Sequence, residues 1–82
     1  MSSYDGLVRG IADAIERYLT QHPEAADTVE GISTWWLSSQ YGTDAVLAAL
    51  VQLEARGVVA RMERQGVAAI FSSALRRRRS AP

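Results

Sequence analysis

Residues 44–71 read DAVLAALVQLEARGVVARMERQGVAAIF, and within this stretch the spacing of the apolar positions changes once. Val46, Leu47, Leu50, Val51 and Leu53 recur at helical intervals, which predicts a helix with those residues as its buried stripe. Gly57 is placed to end it, because a residue without a Cβ adopts the left-handed closing conformation at little cost. After Gly57 the period falls to two, over Val58 to Arg64 and again over Val67 to Ser72, on either side of Gln65-Gly66. A β-hairpin follows. With a two-residue turn, Arg64 faces Val67, Met62 pairs with Ala69, Arg61 with Ile70 and Ala60 with Phe71. The predicted core face is then Val58, Ala60, Met62, Val67, Ala69 and Phe71, and the opposite face holds Val59, Arg61, Glu63, Ala68, Ile70 and Ser72.

Upstream, Leu7, Ile11, Ile15, Tyr18 and Leu19 recur three and four apart, with Arg9, Asp13, Glu16 and Arg17 opposite them. This predicts an amphipathic helix ending near Gln21 or His22, because the residue before Pro23 is steered away from helical geometry. Pro23 to Ala26 form the connection. Asp27 and Glu30 have the spacing of a capping box, so a second helix is expected to begin there. On it Val29, Ile32 and Trp36 share a line, which makes Trp36 the core anchor and Trp35 a candidate contact residue. Ser38 to Gly42 interrupt the pattern, and Thr43 or Asp44 is placed to cap the third helix.

With 82 residues, 48% of them hydrophobic, the chain has material for one core and not for two. It divides into a domain over residues 1–74 and a basic tail over 75–82. All nine basic residues are arginine, and four of them, Arg76, Arg77, Arg78 and Arg79, are consecutive. Residues 1–75 hold the other five against nine acids, a net charge of −4 beside a strongly basic end. There is no cysteine and one histidine, His22, so neither a zinc site nor a nucleophile with its base and orienting group can be assembled. No enzyme, metal or cofactor is expected. The start of the chain lacks the pattern of a signal peptide and no apolar run has spanning length, so a cytoplasmic protein without a membrane role is expected.

One helix, a short connection, two helices joined by a five-residue turn and a hairpin with glycine at its tip: over about residues 5–73 this order resembles the winged helix-turn-helix family. The resemblance implies a mostly α fold with a C-terminal β-hairpin, and a small DNA-binding transcriptional regulator. The third helix would then enter the major groove and the hairpin would touch phosphate. Carried onto this sequence, base readout falls to Thr43, Gln52 and Arg56, and phosphate contact to Arg61 and Arg64 of the wing and to Arg76, Arg77, Arg78 and Arg79. The same helix also carries Ala45, Ala48 and Ala49, which the predicted stripe turns outward and which offer base edges little beyond a methyl contact. With Trp35 they suggest the alternative, a module for protein–protein interaction or dimerisation that keeps the fold without binding DNA.

Overall fold

The apolar stripe of the N-terminal segment forms α1 (Ser3–Gln21), which buries Val8, Ile11, Ala12, Ile15 and Leu19 and leaves Leu7 exposed. The computed structural model describes residues 3–74. After α1 come β1 (Ala26–Asp27), α2 (Val29–Gly31) running into a π-helical turn (Ile32–Trp36), α3 (Thr43–Ala55), β2 (Val59–Arg64) and β3 (Val67–Ser73). Among the described residues the result is an α+β domain with three helices and one antiparallel sheet in the order β1-β3-β2. The short first strand was not foreseen. Two residues carry no readable alternation, and they become a strand only because Ser72 and Phe71 lie opposite Ala26 and Asp27.

Thr28, not Asp27, caps the second helix: its Oγ1 accepts from the Gly31 amide at 3.1 Å, while Asp27 Oδ1 accepts from the Thr28 amide at 2.8 Å. The shift follows from β1, which needs Asp27 extended and so moves the cap one residue on. Gly31 sits in ordinary right-handed helical geometry, yet a Cβ there would overlap the Asp27 carboxylate. Beyond it the ladder widens to a π-turn, with the Leu37 amide donating to the Ile32 carbonyl at 3.1 Å. Ser38 and Ser39 then adopt left-handed backbone, at φ 56° and 58°. The Ser39 amide donates to the Ser33 carbonyl, and the buried Ser33 hydroxyl donates to the Tyr41 carbonyl at 2.9 Å. These bonds hold a turn that serine adopts reluctantly. Gly42 occupies the N-cap of α3 with no side-chain bond, so neither Thr43 nor Asp44 plays the capping role expected of it.

Along α3 the buried residues are Ala45, Val46, Ala49, Leu50 and Leu53. This stripe is turned from the predicted one, which had Leu47 and Val51 inside and the alanines outside. The helix is apolar on nearly every side, so periodicity alone left its rotation about its axis free. The packing partner set it: α1 lies against α3, and alanines let two helix backbones come close where leucine would hold them apart. Gly57 closes the helix with φ 77° as expected.

The hairpin turns at Gln65-Gly66, with Gly66 at φ 78° and Arg64 opposite Val67 as predicted. Past that pair the register departs from the predicted one. Met62 faces Ile70, so Ala68 and Ala69 together oppose Glu63 in a β-bulge. Arg61 then pairs with Phe71, Ala60 with Ser72 and Val59 with Ser73. Phe71 stays inside, but it is accompanied by Val59 and Arg61 rather than by Ala60 and Met62, and Met62 is 47% exposed. One extra residue in β3 exchanges the faces of β2.

Candidate interaction surface

The residues proposed for base readout stand apart from one another. Thr43 is exposed at the first turn of α3, Gln52 is exposed near its end, and Arg56 is the C-cap, its guanidinium 3.7 Å from Glu16 of α1. Between Thr43 and Gln52 the solvent side of the helix carries Asp44, Leu47, half-buried Ala48 and Val51. Leu47 and Val51 are 41% and 48% exposed. Of the alanines proposed as an interface, Ala45 and Ala49 are buried in the core and only Ala48 reaches solvent. The exposed aliphatics replace them. No signal in the sequence separates Leu47 and Val51 from core leucine and valine, because the elements packed against α3, α1 foremost, decide which side of it is covered.

In the hairpin, Arg64 is exposed beside the turn. Arg61 is not a free cation: its guanidinium lies 5.0 Å from the Phe71 ring centroid, 3.1 Å from Glu54 and 3.7 Å from Glu63. Its Nε is buried and has no hydrogen-bond partner among the described residues. This is the consequence of the bulge, which turns Arg61 toward the core face, where the ring offers its electron-rich surface in partial compensation. Arg76 to Arg79 lie outside the described residues.

Trp35 is 75% exposed on the π-turn, as its place on the helical wheel predicted. Trp36, expected as the core anchor, is only half-buried at the edge of the core and stacks on Tyr18 with ring centroids 4.6 Å apart and planes 10° from parallel. Tyr18 in turn meets His22 at 4.4 Å, so the single histidine ends a row of rings joining α1 to the π-turn.

A groove of about 310 Å³ lies between α3 and the sheet. α2 lines it with Val29 and Glu30, α3 with Asp44 and Leu47, and the sheet with Arg61 and Phe71 beside the two alanines of the bulge. Among the described residues no three metal-ligating side chains of the His, Cys, Asp or Glu types come together, and no helix is long and apolar enough to cross a membrane. Comparison of the chain with protein families, curated proteins and solved structures gave no match.

Proposed function

We propose that the chain is a winged helix-turn-helix domain that works as a dimerisation module, with α3 docking on a second copy instead of reading DNA. The order helix, strand, two helices and hairpin, with β1 joined to β3, supports the winged-helix reading. One observation carries the choice of ligand: the outward face of α3 presents Leu47 and Val51 beside Asp44, where a groove-reading helix needs donors and cations. A carboxylate there repels phosphate. The wing adds little attraction, since the charge of Arg61 is met by Glu54 and Glu63 within the domain. A second copy is the partner that this face fits, because a two-fold dimer opposes one patch to itself and two aliphatic side chains can then cover each other.

The deciding experiment is sedimentation of the full chain and of Val51→Glu, with a titration of random duplex DNA at two salt concentrations. The wild type is expected to self-associate and Val51→Glu to dissociate, while Gln52→Ala, Arg56→Ala and Arg64→Ala together leave any DNA affinity unchanged. DNA binding that weakens steeply with salt, and weakens again on losing those three side chains, overturns the reading.

A further inference from the structure

The sheet order β1-β3-β2 leaves β2 at an edge, and no strand of the described residues pairs on its outer side. One bond fixes which of its backbone groups face outward. The Ala74 amide donates to the Val58 carbonyl at 2.9 Å, directly opposite it in the register that pairs Val59 with Ser73, so Val58, Ala60 and Met62 are the residues bonded to β3. The residues between them alternate with these. Val59, Arg61 and Glu63 therefore turn their amides and carbonyls away from the sheet, and a row of that kind is a template for a further strand. The bulge lies in β3, so the alternation along β2 is unbroken. The outer side of β3 is less regular, since β1 takes Phe71 and Ser72 and the bulge interrupts the remainder.

Charges on an edge strand guard it against unwanted pairing, but here their order is complementary to itself. Arg61, Met62 and Glu63 are consecutive, with opposite charges on either side of an exposed thioether. An antiparallel copy of β2 bonds to this edge only where outward residues meet outward residues, which leaves registers centred on single residues of the strand. Centred on Arg61, the pairing sets arginine against arginine, and centred on Glu63 it sets carboxylate against carboxylate. Centred on Ala60, it opposes Arg61 to Val59 and carries Glu63 past the end of the strand. Centred on Met62, it sets Arg61 opposite Glu63 on both sides of the two-fold, Met62 against Met62, and Ala60 against Arg64. Only this last register joins unlike charges and covers the exposed methionine.

We infer that β2 pairs with β2 of a second copy, antiparallel and centred on Met62, so that two three-stranded sheets become one continuous sheet. Arg61 already lies 3.7 Å from Glu63 of its own chain, so the pairing completes a square of two arginines and two glutamates in which each charge has its opposite beside it. The contact consists of a few main-chain bonds, these charges and one methionine pair, and is weak by itself. It goes beyond the dimerisation reading and uses a different surface from Val51. Copies joined through α3 gain in β2 a second two-fold link, and two such links on one chain build an assembly larger than a dimer.

The chain has no cysteine, so single cysteine substitutions in the full chain report the register through disulfide formation. Across the two-fold the two Met62 positions form a non-hydrogen-bonded pair with Cα atoms ~4.5 Å apart, within disulfide reach, whereas the two Arg64 positions are four residues out of step, at least ~13 Å apart. Both positions are exposed. Under mild oxidation Met62→Cys is expected to form a linked dimer several-fold faster than Arg64→Cys. Adding Glu63→Gln should slow the Met62→Cys reaction by a factor of about 2 to 30, the range for losing two exposed ion pairs. Equal rates for the two cysteine variants, or a Met62→Cys rate that Glu63→Gln leaves unchanged, overturns the inference. Repeating the comparison in a Val51→Glu background separates it from the dimerisation reading. The preference for position 62 should persist there, and a preference that vanishes with Val51 overturns an independent β2 contact. If the wild type and Val51→Glu sediment alike, the α3 interface falls and the cross-linking comparison still decides the β2 contact.

Discussion

The bulge opposite Glu63 decides which face of β2 is inside, and two truncations on that strand test it. Val59 is buried beside Ser73, whereas Met62, on the opposite face, is half exposed. Val59→Ala removes two buried methyl groups, about 1.6 kcal/mol at ~0.8 kcal/mol for each. An unrelaxed void of that size adds up to about 1 kcal/mol, so the loss should be about 2 kcal/mol. Met62→Ala should cost under ~1 kcal/mol, as for a side chain that keeps much of its contact with water. A domain of 82 residues is expected to have ~4 to 12 kcal/mol to lose, so both variants should remain folded enough to measure. In urea, with a slope of ~1 kcal/mol per molar, the midpoint should fall by ~2 M for Val59→Ala and by under ~1 M for Met62→Ala. Val59→Thr serves as the control for strand preference, since it keeps the branched shape and places a hydroxyl in the core; it too should destabilise, by ~1 to 3 kcal/mol. A Met62→Ala loss equal to or larger than that of Val59→Ala would mean that the strand has the opposite phase and that the bulge is absent.

Three further outcomes follow from burial and backbone. Ala49→Glu places an unpaired charge where no solvent reaches and should abolish the folded circular dichroism signal, while Ala48→Glu, half-buried at the helix edge, should fold and melt within a few degrees of the wild type. Trp36→Ala loses the stack on Tyr18 and should cost about 2 to 3 kcal/mol in urea titration, against under ~0.5 kcal/mol for Trp35→Ala. Ser39→Gly relieves left-handed backbone and should raise the urea midpoint slightly, by up to ~1 kcal/mol in stability after the added freedom of the unfolded chain is subtracted. A fall in midpoint there would show that the Ser39 side chain supports the turn.

The sequence by itself determined what depends on neighbours along the chain. The stripe through Ile11, Ile15 and Leu19, the proline after His22, Gly57 and the turn at Gln65-Gly66 are local signals, and α1, the end of α3 and the hairpin turn lie where those signals place them. The outward position of Trp35 agrees with an α-helical wheel, but the π-turn changes the spacing there, and Trp36, expected as the core anchor, is only half-buried. Tertiary structure alone decided the rest. The rotation of α3 depended on the elements packed against it, α1 foremost, which bury Ala45 and Ala49 and leave Leu47 and Val51 exposed as the candidate interface. The partner of β1 is more than forty residues away in sequence, and alternation in two residues cannot announce it. The bulge at Ala68 and Ala69 is a mismatch between two strands, invisible in either one, yet it turns Arg61 from a wing cation into a half-buried residue over Phe71. Local periodicity assigns an element and its length, whereas the face it buries is chosen by whatever packs against it.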